Sequence, residues 1–168
     1  MESEFPRQQR SRRSVAFWSI FGAVLVLDVT TKRLAERGLP LHVPRDVVSD
    51  WFRLTLTYNT GAAMNLSAGD ASRVVFTVIA AFMLIVLFRM YRSTAPHDGW
   101  QAAALALVSA GALGNLIDRL RSARGVVDFI DVGVGDARFW TFNIADMGVT
   151  TGAVLLSLLL LRRPATAD

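Results

Sequence analysis

Long apolar runs separated by short polar connections dominate this chain. Four runs approach the roughly 20 residues that a helix needs to cross a hydrocarbon layer: Val15 to Thr31, Ala71 to Met90, Gln101 to Ile117 and Ile144 to Leu161. Backbone amides in lipid must pair within their own segment, so each run predicts a helix, and four spans put both termini on one side. The connection over 40–66 has another period. Phe52, Leu54, Leu56 and Tyr58 alternate with Arg53, Thr55 and Thr57, as in a half-buried strand, and Asn59-Thr60-Gly61 then reads as a turn. Val126 to Val132 and Arg138 to Phe142 are further extended candidates. The pattern predicts an all-α polytopic membrane protein, with four transmembrane helices and a small extended (β) extracytoplasmic layer over the helix ends. Residues 1–14 and 164–168 read as disordered tails, the first cytoplasmic, and 15–163 as a single four-helix domain whose extended segment covers about 40–66.

Small residues indicate where helices meet. Ala102, Ala106, Ala110 and Gly114 form a smooth stripe on the third span, and Gly148 and Gly152 form a G-x-x-x-G pair on the fourth, which predicts close packing of these two helices. Trp18, Trp51, Trp100 and Trp140 lie near span ends or in loops, as an interfacial aromatic belt does. The first span ends in Asp28-Val29-Thr30-Thr31-Lys32 and not in a small-x-small cleavage site, so it reads as an uncleaved helix. Arg7, Arg10, Arg12 and Arg13 precede it, while Lys32, Arg33 and Arg37 follow; the comparison places the amino terminus in the cytoplasm. The short turn from Tyr91 to Gly99 belongs on that same side.

Composition narrows the function. The net charge of +4 comes mostly from arginines at segment ends, which suits anionic headgroups. Without a basic stripe interleaved with exposed aromatics, nucleic acid is an unsuitable partner. The chain has no cysteine, only His42 and His97, and no His-Glu-x-x-His string. Thiolate chemistry is therefore excluded, zinc-protease chemistry lacks a ligand set, and neither a metal nor another cofactor is expected.

Carboxylates beside hydrocarbon are the remaining chemistry, because they are costly there unless watered, paired or protonated. Asp28 and Lys32, four apart, share a helix face and can pair where the first span meets water. Asn115, Asp118 and Arg119 fall on one sector at the end of the third span, where Arg119 or a neighbouring loop can hold Asp118. A carboxylate with a fixed cation is a poor proton carrier, so Asp118 reads as a brace. Asp128 sits between two valines and a phenylalanine, where desolvation favours its neutral form; Asp146 opens the fourth span, where the helix dipole favours an anion. Two carboxyls in such unlike settings suit shared-proton hydrolysis, with loop aspartates of no catalytic role as the plainer reading. Gly133-Val134-Gly135-Asp136 spells a G-x-G-D string of intramembrane aspartyl proteases, but it falls in a charged loop and is set aside as coincidence. No span carries a serine and histidine pair, which leaves aspartate chemistry.

Five blocks, in order, resemble signal peptidase II, the prolipoprotein signal peptidase family of bacteria. They are Asp28-Val29-Thr30-Thr31-Lys32, Tyr58-Asn59-Thr60-Gly61-Ala62-Ala63, Gly111 to Leu120, Val126 to Asp131, and Phe142-Asn143-Ile144-Ala145-Asp146. The resemblance implies an aspartyl endopeptidase of the bacterial inner membrane, with four helices, both termini cytoplasmic and its active site at the periplasmic interface. It implies cleavage of lipid-modified prolipoproteins on the amino side of a diacylglyceryl cysteine, by a monomer in contact with membrane lipids and inhibited by globomycin-type peptides. Carried over by motif, Asp128 and Asp146 are the catalytic dyad. Sequence order alone would equally allow Asp118 with Asp146. Asn59, Asn115, Arg119 and Asn143 would line the site, with Asp28, Lys32 and Asp118 in support. The chain departs from the family at Met64, Ala110-Gly111 and Met147, where phenylalanine, a glycine pair and a small hydroxyl residue are usual. The alternatives are a small transporter or proton channel with Asp28, Asp118 and Asp146 as relay groups, or a catalytically silent lipopeptide-binding homologue.

Overall fold

The structure is a computed structural model that describes residues 4–60 and 72–162, with side chains described from Arg12 onward in the first segment and from Arg73 in the second. The elements run α1 (Glu4–Gly38), β1 (Arg45–Val48), β2 (Phe52–Asn59), α2 (Ser72–Ser93), α3 (Gly99–Arg121), β3 (Val126–Val134), β4 (Ala137–Arg138) and α4 (Ile144–Leu161). Four helical stretches are long and apolar enough to cross a membrane: Arg12–Gly38, Arg73–Ser93, Gly99–Arg121 and Ile144–Leu161. The chain is a multi-pass membrane protein. Of these helices α3 is the central one, with half of its apolar window buried against 11–17% in the others.

Two helices outrun their apolar stretches, for one reason. α1 continues past Thr31 to Gly38, and α3 past Ile117 to Arg121, because Lys32 and Asp118 are turned inward and neutralise each other there. Charge that reads as a span end is instead buried inside the bundle. At its other end α1 reaches back to Glu4, through the stretch whose composition reads as a tail.

The α3–α4 contact is as close as the glycines imply, but α3 presents a different face to it. A Cβ on Gly152 would meet the Ala104 carbonyl and Val108, one on Gly148 the Leu107 carbonyl, and one on Gly111 the Ala145 carbonyl. The stripe against α4 is therefore Ala104, Leu107, Val108 and Gly111. Ala102 and Ala106 turn the other way, into a cluster with Phe17, Leu87, Leu105 and Tyr91. Of the expected stripe, Gly114 does face Ala145 of α4, but Ala102 and Ala106 do not, which corrects the expected seam. A central helix needs small residues on more than one face, so a single alanine stripe does not identify its partner.

The four strands form one sheet in the order β1-β2-β3-β4, each neighbour antiparallel. Tyr58 pairs with Val127 and Thr57 with Asp128, and an irregularity between Leu54 and Thr57 separates this register from the Leu54–Ile130 pair. The sheet packs on the end of α1 through Ala35, Leu56, Val127, Phe129 and Ile130. The extended segment expected over Arg138 to Phe142 is interrupted: β4 stops at Arg138, and Phe142 returns as an isolated bridge to Ile130. The Phe142 carbonyl accepts from both Phe129 and Ile130 N–H groups, at 3.0 and 2.8 Å, which fixes the chain just ahead of α4.

The turn between α2 and α3 closes the far end of the bundle. There the Arg13 guanidinium donates to the Thr94 carbonyl and lies 5.0 Å over the Tyr91 ring, while Phe17 stacks on Tyr91 at 3.9 Å. The start of the apolar part of α1 and the Tyr91 to Gly99 turn thus share one end, opposite the sheet. Trp18, Trp51, Trp100 and Trp140 are all exposed, as an aromatic belt requires.

Candidate active site

The amino end of α4 organises the site. Asn143 is its N-cap: the Asn143 side-chain oxygen accepts from the Asp146 N–H at 2.9 Å, and the Asp146 carboxylate accepts from the Asn143 N–H at 3.2 Å. This reciprocal capping satisfies donors that a helix start leaves open. It also sets the Asp146 carboxylate at the mouth of the helix and leaves the Asn143 amide nitrogen free to face β3. That nitrogen donates to Asp128 Oδ1 at 2.6 Å and also lies 3.2 Å from the Val127 carbonyl and 3.1 Å from Asn115 Oδ1. One fully buried asparagine therefore connects the two carboxylates.

A second amide supports the first. Asn115 on α3 donates to Asp146 Oδ1 at 2.8 Å, and its own oxygen accepts from Lys32 Nζ at 2.8 Å. Lys32 also contacts Asp28 at 2.9 Å and Asp118 at 3.0 Å, so its ammonium meets three oxygens. Each of those acids holds a backbone amide in turn: Asp28 accepts from Ala145 N–H at 2.8 Å on α4, and Asp118 from Val127 N–H at 3.2 Å on β3. Glycine at 114 makes this possible, since a Cβ there would run into the Asp28 carboxylate. Lys32 thereby ties α1, α3, α4 and β3 to a common point.

Two expectations need correcting. Asp28 and Lys32 do pair, but at 0% and 2% exposure they lie in the protein interior and not where the first span meets water. Asp118 is held by Lys32, with Arg121 at 3.6 Å, and not by Arg119. Adjacent helical residues point about 100° apart, so Arg119 cannot face the partner of Asp118. Its charge interacts with Asp146 and Asp128 ahead of Asp118. The guanidinium donates to the Asn115 carbonyl at 3.2 Å and lies 6.0 Å from the Phe76 ring on α2; its buried Nε has no partner among the described residues.

Asp128 is 3% exposed and its carboxyl is pushed up to about 7. Burial is the main cause, followed by the negative charge of Asp146; hydrogen bonds from Asn143 and Asn59 and the field of Lys32 work in the other direction. Asn59, at the end of β2, is thus brought onto the Asp128 carboxyl. All nine residues singled out from the sequence converge on this region: Asp128, Asp146, Asn59, Asn115, Asn143 and Arg119 around the two carboxylates, and Asp28, Lys32 and Asp118 behind them. Phe76 and the Val127 and Ala145 backbone had no sequence signal of their own. The residues 61–71, with Met64, lie outside the described structure, whereas Met147 is half-exposed on the first turn of α4. Gly133 and Val134 end β3, and Gly135-Asp136 form the turn to β4 on the sheet rim. Among the described residues no group of three acidic or histidine side chains is arranged to hold a metal.

The four-helix chain with its sheet cap has counterparts among known proteins. The family model described as signal peptidase (SPase) II matches residues 20–162. The lipoprotein signal peptidase of Streptomyces coelicolor is 37% identical over 165 residues, covering 94% of this chain and 76% of that protein. Those of Pseudomonas putida and Mycobacterium avium are 38% and 37% identical, covering 86% and 94% of this chain and 86% and 85% of theirs. Two solved structures of bacterial membrane enzymes obtained by the in meso method, at 1.9 and 2.3 Å, superpose with TM-scores of 0.78 and 0.79 at 31% and 30% identity. They cover 88% and 90% of this chain, and 94% of each solved chain is matched. The match extends through all four spans and both strands that carry the polar network, and the chain belongs to the signal peptidase II family.

Proposed function

We propose that Asp128 and Asp146 are the catalytic dyad with which this chain cuts lipid-modified prolipoproteins on the amino side of the diacylglyceryl cysteine. Membership of the family makes the chain a lipoprotein signal peptidase of the aspartic type. The observation that carries the dyad assignment is Asn143, whose side-chain amide donates to Asp128 while its backbone N–H donates to the Asp146 carboxylate, together with the rise of the Asp128 carboxyl to about 7. In this reading Asp128 carries the acid proton and Asp146 is the base. Asp146 takes a proton from a water as its oxygen adds to the scissile carbonyl, and Asp128 gives its proton to the carbonyl oxygen. The tetrahedral intermediate then collapses: the C–N bond breaks, the amine leaves with the proton held by Asp146, one hydroxyl of the intermediate returns its proton to Asp128, and the acid half is released. Arg119 and Asn59 face the developing charge, and the unpartnered Arg119 Nε is available to a substrate carbonyl.

The placement suits the substrate. Two acyl chains remain in hydrocarbon and fix the depth of the scissile bond, so lipid anchorage supplies positional specificity at the interface. The enzyme is a monomer in contact with membrane lipids, in the bacterial inner membrane, with both termini cytoplasmic and residues 15–163 as one catalytic domain. Met64 and Met147, where the family usually has other residues, tune the peptide or inhibitor pocket; unchanged kinetics and globomycin affinity in Met64→Phe and Met147→Ser would remove that role.

Purified protein, incubated with a diacylglyceryl-modified prolipoprotein, should cleave before the lipidated cysteine. Asp128→Asn and Asp146→Asn should be folded and inactive. Activity that survives Asp128→Asn but is lost in Asp118→Asn would move the dyad to the third span.

A further inference from the structure

The face of β3 opposite Asp128 borders an apolar groove of about 250 Å³, separate from the dyad. Its walls are Leu34, Ala35, Gly38 and Leu39 of the α1 end with Leu54 and Phe129 of the sheet, and Thr31 and Arg45 complete it. Phe129 follows Asp128 on the strand, so its side chain leaves by the other face. We propose that this groove binds one acyl chain of an anionic phospholipid, whose phosphate sits on Arg45.

Depth is the first argument. The apolar stretch of α1 ends at Thr31, and the groove climbs from there along Leu34 to Leu39 to Arg45 and Leu54 of the sheet, so it opens at the hydrocarbon boundary and ends at the headgroup level. Polarity is the second. The Thr31 hydroxyl already donates to the Leu27 and Asp28 carbonyls, which leaves the walls without a polar group seeking a partner. Charge is the third. The exposed Arg45 makes no ion pair with any described residue, and the acid beside it, Asp46, is taken by Arg53 at 2.7 Å. An apolar channel that ends in one uncommitted guanidinium matches an acyl chain with a phosphate at its head, and no zwitterionic lipid satisfies Arg45 without also presenting its own cation.

Gly38 supplies a fold-safe way to fill the groove, because a Cβ there meets nothing within 4 Å. The full chain is placed in nanodiscs of equimolar phosphatidylglycerol and phosphatidylcholine, each lipid in turn carrying a photoactivatable acyl chain, and labelled residues are mapped. Phosphatidylglycerol should label the Leu34 and Phe129 walls more than phosphatidylcholine. Arg45→Gln should lower that labelling about fivefold, the usual weight of one basic residue at an anionic surface, Arg45→Lys should retain most of it, and Gly38→Leu should abolish it. Equal labelling by the two lipids, or labelling indifferent to both Arg45→Gln and Gly38→Leu, would overturn the proposal. So would loss of label when a diacylglyceryl lipopeptide saturates the enzyme, which would give the groove to substrate. None of these readouts depends on the identity of the dyad.

Discussion

Two pairs of aspartates lie side by side in this protein and are treated in opposite ways. Asp28 and Asp118 share a lysine, and each also accepts a backbone amide. Asp128 and Asp146 receive neutral amides only, from Asn143, Asn59 and Asn115, and the charge of Arg119 stands nearby without an ion pair to either. A cation in contact makes the first pair a structural clamp. Its absence from the second leaves a carboxyl that can hold a proton near neutrality. Residue type is the same in both; what differs is whether the partner carries charge.

The comparison can be broken most severely by removing the charge of the clamp. Lys32→Met should destabilise the protein by about 3–5 kcal/mol, because Asp28 then stays buried without a cation and Asp118 keeps only Arg121 at 3.6 Å, and Lys32→Met with Asp28→Asn should recover part of that in thermal unfolding. A loss well below this range for the single variant would mean that the ammonium does not hold the clamp. Asp128→Asn should act in the opposite direction. A carboxyl whose folded value is raised from 3.8 to about 7 contributes its stability at low pH and loses it as pH rises through 7. The asparagine variant should therefore gain up to roughly 4 kcal/mol over wild type at pH above 8 and nothing below pH 4, as read by unfolding at several pH values.

Catalysis should report the same proton. With Asp128 required in its acid form, kcat/KM should fall about tenfold per pH unit above about 7, and variants altered only in the clamp whose fold survives should keep that limb. A flat profile from pH 6 to 9 would place the titrating group elsewhere. Asn143→Ala removes the N-cap of α4 and the link between the carboxylates; it should cost about 1 kcal/mol of stability but a far larger share of activity, which separates its two roles. Smallest of all, Asp46→Asn should change stability by less than about 1 kcal/mol, since its bond to Arg53 is exposed.

Much of this was legible from residue order. The spans followed from run length, β2 from its two-residue period, and the neutral tendency of Asp128 from its apolar neighbours. The family blocks named the residues that converge. Sequence spacing did not reveal which partner each residue finds. Asp118 and Arg119 are neighbours in the chain yet serve different pairs, and Lys32, which reads as the end of a span, is the centre of the clamp. The smooth alanines of α3 meet α1 and α2, while a second stripe meets α4.

By itself, then, the sequence determined the four spans, the strand-bearing cap and the small set of polar groups available for chemistry, because hydrophobic period and the cost of charge in lipid are local properties. Only the tertiary structure decided which aspartates are held by a cation and which receive amides alone. That division depends on whether a cation from α1 or an amide from the start of α4 arrives within hydrogen-bonding distance, and those distances are set by packing between segments far apart in the chain.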